Sequence, residues 1–390
     1  MNTVLCITDS LADGEAWITH LHMRGYDTVT TDMKALGSLK TDAWARTALI
    51  LSHDAAKILA ADAAGLAGWC RKLKADRIVV VDKSAEKFSL KGEFNGSVLR
   101  LVPSKSGWRY AAEVAARFLD TDQNVAAGDP QTFNLLRLAS RVAASDVTVM
   151  LVGPTGTGKE VLSKFLHNAS KRSREPFIAV NCAAVPDTML EALLFGYEKG
   201  AFTGAHTPNK GIFRAADGGT LLLDEVSEMA PHLQAKFLRV LQEKEVTPLG
   251  GSKAVPIDVR VIATSNRYMM EEVKAGRFRE DLYYRLNVFP LATQALAERP
   301  GDILPISILL LAKHSGGFPN IPEITDAAIE KLESYAWPGN VRELENVLQR
   351  ALVLSGGVAI APEHIMIDRH DVAASLEDFE PRPRLQAVAG

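Results

Sequence analysis

Cysteine is scarce: Cys6, Cys70 and Cys182 are the three in 390 residues, scattered without the spacing of a metal knot or a disulfide framework. They read as buried free thiols, and the expected setting is a reducing cytoplasm. The N-terminus lacks a basic stretch followed by an apolar one, so no secretory leader is expected. The longest apolar run, Ile303 to Ala312, is too short and too interrupted to span a membrane. Cationic excess is missing too. Lys and Arg number 44 against 47 Asp and Glu, a formal net charge of -3, so contact with nucleic acid would need a local patch or a partner. Internal repeats and low-complexity blocks are also absent. What is present is 47% hydrophobic and 23% charged residues, the balance of a packed core, over a length that suggests roughly two to three domains at about 150 residues each.

The most informative stretch is Gly153-Pro154-Thr155-Gly156-Thr157-Gly158-Lys159. A β-branched apolar run from Val147 to Val152 precedes it, and a helical pattern, Glu160 to Leu166, follows. Strand, glycine-rich turn, Lys and helix together form a phosphate cradle. The glycines let successive backbone N–H groups turn inward, the helix N-terminus adds unsatisfied donors, and Lys159 reaches the β and γ phosphates. Glu160 stands where many such loops carry a Ser or Thr for Mg²⁺, so the metal would lean on acids elsewhere.

Before that loop, strand candidates at Val4–Ile7, 25–29, 48–51, 78–81 and 98–102 alternate with helical stretches, which predicts a parallel sheet covered on both faces. Five such units in about 120 residues resemble a response-regulator receiver domain. The chemistry of a receiver is missing. Only Thr8-Asp9-Ser10 follows the first strand, Ser52-His53 stands at the end of the third, and the fifth ends Val102-Pro103-Ser104-Lys105. A degenerate receiver that cannot be phosphorylated is expected, with phosphate on Asp54 as the alternative; His53 reads as a surface or packed residue. Residues 121–130 are polar, with Gly and Pro and without period, and read as a linker.

Past the loop, the strand Phe177–Val180 ends in Asn181, and a helical segment, Asp187 to Phe195, leads to Gly196-Tyr197-Glu198-Lys199-Gly200-Ala201-Phe202-Thr203-Gly204-Ala205. So many small residues around one aromatic and one hydroxyl cannot bury themselves; the stretch reads as a protruding loop or a flexible surface turn. Leu221-Leu222-Leu223-Asp224-Glu225 is an apolar strand ending in two acids. Asp224 is placed to hold Mg²⁺ and Glu225 to orient the attacking water. Asn181 is either a hydrogen-bond partner for Glu225 or a strand-end turn residue. Val259 to Asn266 is a further buried strand whose last residues, Ser265 and Asn266, suit γ-phosphate reading. Arg279 and Arg285 are six apart and do not share a helix face. From Asp302 the pattern turns helical (Asp302–His314, Asp326–Trp337 and Val341–Leu354), with Asn340 placed to cap the last helix and Arg342 opening it. The tail, 367–390, is acidic and Pro-containing and reads as disordered.

Taken together, 131 to 365 resembles the bacterial sigma-54-dependent transcription activators, the enhancer-binding AAA+ ATPases. The most specific element is Gly200-Ala201-Phe202-Thr203-Gly204-Ala205, the loop with which those activators engage sigma-54. The resemblance extends to the phosphate loop, Glu160 included, and to Asp224-Glu225 with Asn181 as the glutamate-switch residue. Ser265-Asn266 stand where that family often has Thr-Asn. The resemblance implies that Arg279 and Arg285 act in trans across a subunit interface and that Arg342 is the second sensor. Ala297 stands where the family usually has another Arg. The degenerate receiver-like domain is similar to that of the flagellar regulators of this family.

The expected architecture is α/β: a receiver-like doubly wound sheet (1–120), the linker (121–130), an AAA+ P-loop core (131–300), a helical lid (301–366) and the tail. The resemblance implies ATP and Mg²⁺ as cofactors, the sigma-54 RNA polymerase holoenzyme as target and a homo-oligomeric ring, a hexamer. About 25 residues after the lid are too few for the helix-turn-helix that usually ends such proteins, so either the chain is truncated or it reaches promoters through a DNA-bound sister activator. No specific DNA binding of its own is expected. Two other readings stay open: a co-regulator that co-assembles with a DNA-binding relative, and a different AAA+ remodeller, against which the loop argues.

Overall fold

The computed structural model describes residues 3–7, 14–35, 47–61, 65–83, 86–105, 107–120 and 125–367. Thr8-Asp9-Ser10, residues 121–124 of the linker and the tail beyond 367 lie outside them. The chain forms two compact units: Met1–Gln123 with Ile303–Tyr335 and Glu343–Gly390, and Asn124–Asp302 with Ala336–Arg342.

The N-terminal part of the first unit runs β1 (Thr3–Ile7), α1 (Gly14–Met23), β2 (Asp27–Thr31), β3 (Thr47–Ser52), α2 (His53–Ala61), α3 (Gly65–Lys72), β4 (Ala75–Val81), β5 (Ser89–Glu93), β6 (Val98–Val102) and α4 (Trp108–Leu119). The strand order is β2-β1-β3-β4-β6-β5, parallel except where β5 pairs antiparallel with β6. Side chains alternate between faces. Leu5, Ile7, Leu49, Leu51, Ile78 and Val80 pack on Ala55, Ala56 and Leu59 of α2, while Cys6, Ile50, Val79 and Leu99 between them are equally buried. Both faces are therefore covered, as the apolar runs predict. One element differs from the five-unit expectation. Between β4 and β6 lies the edge strand β5, returning through Phe94 and Asn95 at φ of 51° and 54°. Its sequence, Ser-Leu-Lys-Gly-Glu, has no β-branched residue to announce a strand.

The second unit holds α5 (Pro130–Ala143), β7 (Val149–Val152), α6 (Lys159–Asn168), β8 (Phe177–Asn181), α7 (Asp187–Phe195), α8 (Gly211–Ala215), β9 (Thr220–Asp224) and α9 (Pro231–Glu243). Then follow the ribbon strands β10 (Glu245–Val246) and β11 (Val255–Pro256), β12 (Arg260–Ser265), α10 (Met269–Lys274), α11 (Glu280–Leu286) and β13 (Phe289–Ala292). The sheet is wholly parallel in the order β13-β7-β12-β9-β8, which brings the C-terminal ends of β7, β12 and β9 side by side. Central β12 is buried along its whole length, as a strand covered on both faces must be. Val149 and Leu151 face Leu162 and Leu166 of α6 and Ala139 of α5. Met150, Val261 and Ala263 face α7, α9 and α11. Asp129 caps α5 by accepting from the Gln131 N–H, with Pro130 following. At the other end of α5, Arg260 donates to the carbonyls of Val142 (3.2 Å) and Ala143 (3.1 Å), among the last acceptors of the helix.

The segments that return to the first unit are α12 (Ile303–His314), β14 (Glu323–Ile324), α13 (Asp326–Ser334), α14 (Asn340–Leu354, from Glu343 on) and β15 (Ala359–Ile360). α12 packs on α4. The Tyr110 hydroxyl donates to the Pro322 carbonyl at 2.5 Å, Phe118 meets Phe318 edge-on at 6.1 Å, and Arg109 pairs with Glu333. Every residue of α4 from Tyr110 to Leu119 is consequently buried, Glu113 and Arg117 included. Glu113 is matched by His20 at 3.1 Å and by Arg24.

Candidate functional site

β7 delivers the chain to a loop whose tightness depends on Gly153. Its φ is 149°, and a Cβ there would collide with the carbonyl and hydroxyl of Thr293 at the end of β13. Gly158, at φ 100°, turns the chain into α6. Lys159, buried, donates from Nζ to the carbonyls of Gly153 (2.8 Å) and Pro154 (3.0 Å). Burial holds its pKa below the usual lysine value, against the upward pull of Asp224 and Glu225. Thr157 Oγ1 donates to the Pro154 carbonyl at 2.8 Å and meets the Thr293 hydroxyl at 2.7 Å. Glu160 points to solvent and pairs with Lys164 one turn on, at 2.7 Å.

Groups for which the sequence suggested no role at the loop hold it from behind. Arg299 donates to the Thr157 carbonyl at 2.7 Å and pairs with Asp302 at 3.2 Å. Asp302, fully buried, accepts from the N–H groups of Gly128 (2.6 Å) and Asp129 (2.8 Å) and from the Thr132 hydroxyl (2.5 Å). Asn340 was expected to cap the following helix. Its side chain instead donates to the Thr155 carbonyl at 3.0 Å and accepts from the Leu296 N–H at 2.8 Å. Its φ of 52° leads into Arg342, an exposed residue whose Cβ lies beside Gly156.

At the end of β9, both oxygens of Asp224 are engaged. Asn181 Nδ2 donates to Oδ2 at 2.9 Å and Thr264 Oγ1 to Oδ1 at 2.6 Å. The Glu225 N–H donates to the same Thr264 oxygen at 2.9 Å. The Asn181 amide thus meets Asp224, where Glu225 was its expected partner, because β8 and β9 run in register with Asn181 opposite Asp224. Its Oδ1 accepts from the N–H groups of Ala183 and Ala184, so the same side chain also closes the strand-end turn. Glu225 adopts φ 55°, ψ 49°, a left-handed conformation that costs a non-glycine residue about 1–3 kcal/mol and clusters at functional sites. Cys182, beside these acids, has its thiol pushed up to about 12, chiefly by burial and further by Asp224 and Glu225.

Asn266 is exposed and donates to Thr155 Oγ1 at 3.2 Å, across the phosphate loop. Ser265 is fully buried and its hydroxyl exchanges hydrogen bonds with the backbone of Arg267. The strand-end hydroxyl that reaches the acids is Thr264, one residue earlier. Arg279 directly precedes α11 and lies in a two-pronged pair with Asp281 (3.0 and 2.8 Å). Arg285 donates to the Leu241 carbonyl at 3.2 Å. Both are exposed.

Gly200 to Ala205 closes on itself: the Gly200 N–H donates to the Ala205 carbonyl and the Ala205 N–H to the Phe202 carbonyl. Ala205 is buried, while Phe202, Thr203 and Gly204 are exposed at the tip, Phe202 leaning on Tyr197 at 4.9 Å. In the first unit, His53 opens α2 directly after β3. Its Nδ1 accepts from Arg100 at 2.5 Å and lies 3.5 Å from Asp82. Asp54 points outward in the first turn of α2.

Family models match twice: a sigma-54 interaction domain over residues 125–292 and an AAA+ ATPase lid domain over 297–378. The response regulator protein FleR of Pseudomonas aeruginosa is 56% identical over 244 residues, 61% of this chain and 51% of FleR. The transcriptional regulatory protein FlbD of Caulobacter vibrioides is 43% identical over 285 residues, 73% of this chain and 62% of FlbD. The sigma54-dependent transcriptional regulator SfnR of Pseudomonas fluorescens is 45% identical over 265 residues, 66% of this chain and 72% of SfnR. The chain therefore spans about half the length of FleR and under two thirds of FlbD. Among solved structures, NtrX from Brucella abortus in complex with ATP superposes with a TM-score of 0.56 at 26% identity, over 97% of this chain and 89% of NtrX. With a phosphate loop, paired strand-end acids and a sigma-54 interaction domain on one parallel sheet, the chain belongs to the sigma-54-dependent transcriptional regulators with an AAA+ ATPase core.

Proposed function

We propose that the chain hydrolyses ATP within a ring of its own copies, a hexamer. The cycle drives the tip Phe202-Thr203 against sigma-54, converting a closed polymerase–promoter complex into an open one. The observation that carries this reading is Asp224, held by Asn181 and Thr264 beside the phosphate loop in the same unit as the Gly200–Ala205 loop. Lys159 would leave the carbonyls of Gly153 and Pro154 for the β and γ phosphates, and the loop N–H groups would take the rest of the charge. Hard carboxylate oxygens beside a phosphate cradle suit Mg²⁺, which keeps several waters and uses few protein ligands; Asp224 would hold it, and when bound it would neutralise phosphate charge. Glu225 orients the attacking water, Asn266 and Arg342 read the γ-phosphate state, and Arg279 or Arg285 of a neighbouring copy neutralises charge in the transition state. A finger of that kind is worth about 10³–10⁵ in rate. The exposure of both arginines is what supports their action in trans.

The site of action is the cytoplasm, where the holoenzyme works, and promoters are reached from solution or through a DNA-bound sister activator. The degenerate receiver-like unit favours flagellar genes as targets. His53, rather than an acid, directly follows β3 and is engaged by Arg100 near Asp82, which supports control by something other than phosphorylation. The test is open-complex formation by sigma-54 holoenzyme on a supercoiled promoter. ATP-dependent open complexes are expected with this chain alone at high concentration. Robust ATPase without open complexes would favour the co-regulator reading.

A further inference from the structure

The second unit carries a cavity of about 550 Å³ beside the phosphate loop. It lies on the sheet face of Met150 and Val152, opposite the face on which Val149 and Leu151 pack against α6, so the P-loop strand separates it from the helix that receives phosphate. Its volume is that of a small-molecule site. Met150, Met269 and Met270 give it soft apolar walls, and the ring of Tyr283 with Pro290 and Ala292 completes them. Tyr268, 82% exposed, stands at the rim.

The charge in that lining is already spent. Arg267 is the one Lys, Arg, Asp or Glu among the lining residues. Its guanidinium pairs with Glu228 at 2.7 Å and Glu272 at 3.4 Å. A charged occupant would be desolvated without a partner, which is costly. A neutral one keeps a directional contact, because the Tyr283 hydroxyl accepts from Asn287 Nδ2 at 2.9 Å, which leaves its proton to donate. Flat aromatic rings suit tyrosine faces and methionine thioethers.

We propose that this cavity is an effector site for a neutral, planar aromatic molecule bearing one hydrogen-bond acceptor. Gly153 and Pro154 line it and also carry the carbonyls on which Lys159 rests, and Asn266 lines it while bonding Thr155. Occupancy and nucleotide binding therefore share groups, and each must change the affinity of the other by the same factor. This inference stands apart from any action on sigma-54.

Quinoline is the probe, with the full 390-residue chain and saturation-transfer NMR. Quinoline should bind with a Kd of about 1 mM or tighter, and N-methylquinolinium, which is charged and has lost the ring-nitrogen acceptor, at least about tenfold more weakly. Ala292→Phe should fill the cavity, abolish quinoline binding and leave the thermal midpoint in place. Tyr283→Phe, which keeps the ring, should weaken quinoline by about two- to tenfold and serves if Ala292→Phe does not fold. Quinoline should also shift the affinity for a fluorescent ADP analogue severalfold in the parent and not in Ala292→Phe. Absence of quinoline binding at its solubility limit overturns the proposal. Equal binding of the two probes, binding undiminished in both variants, or an ADP-analogue affinity indifferent to quinoline does the same.

Discussion

Asn181 donates from Nδ2 to Oδ2 of Asp224 at 2.9 Å, while Thr264 holds the other oxygen at 2.6 Å and also accepts from the Glu225 N–H. Thr264 is the more consequential partner, since one hydroxyl serves two neighbours. Thr264→Val leaves a backbone donor without its acceptor, a loss of about 1–3 kcal/mol, and frees Glu225 from its left-handed setting. ATPase should fall more than about tenfold and the urea midpoint should drop; Asn181→Ala should slow turnover with a smaller stability loss. Parent-level turnover by Thr264→Val would show that Asp224 works without being held.

Lys159→Ala removes the cation that rests on the Gly153 and Pro154 carbonyls. Nucleotide binding should vanish in a fluorescent-ADP titration. Glu225→Gln should keep nucleotide and stop hydrolysis, because an amide cannot polarise water. Equal hydrolysis by Glu225→Gln and the parent would remove Glu225 from that role.

Thr203 is exposed at a loop tip whose hydrogen bonds are made by its neighbours' backbone. Thr203→Ala should leave ATPase near parent level and eliminate open-complex formation on a sigma-54 promoter. A parallel loss of both activities would make the loop part of the ATPase scaffold.

Gly153→Ala drives a methyl into the Thr293 carbonyl at a φ of 149°. Overpacking of this kind costs about 1–3 kcal/mol, and the calorimetric midpoint should fall by several degrees, with nucleotide affinity. An unchanged midpoint would mean that β13 yields without cost.

The thiols of Cys6 and Cys182 are both pushed up to about 12 by burial. The thiolate is the reactive form. Iodoacetamide at pH 8 should therefore leave both unmodified in the folded chain and label both in urea, as read by peptide mass. Rapid labelling of Cys182 in the native protein would mean that the turn after β8 opens.

The phosphate loop and the paired acids were legible because their chemistry demands residue types at fixed spacing: glycines, a Lys, two acids after an apolar strand. The sheet of the first unit was legible because its central strands are continuous apolar runs. β5 was not, since an edge strand of Ser-Leu-Lys-Gly-Glu is stabilised by pairing with β6 rather than by its own composition. The hold of Arg299 and Asp302 on the loop escaped notice, and Asn340 was read only as a helix cap, because their partners lie far off in sequence. Thr264 left a signal, a hydroxyl directly after the apolar run Val261-Ile262-Ala263 and just before Ser265 and Asn266. Tyr110 to Leu119 gave no such signal: Arg109, Glu113 and Arg117 at four-residue spacing make the polar stripe of a helix with one face in water, yet the whole stretch is buried.

That covering comes late. As the chain leaves the ribosome, N-terminal end first, the outer face of α4 is made long before the residues that seal it. Tyr110 waits for Pro322, Phe118 for Phe318 and Arg109 for Glu333. Through all of that interval these three side chains lack the partners that cover them. The first unit to be synthesised is thus finished only after the second has been made, and a nascent chain stalled between the two would hold a complete sheet with one side of α4 bare.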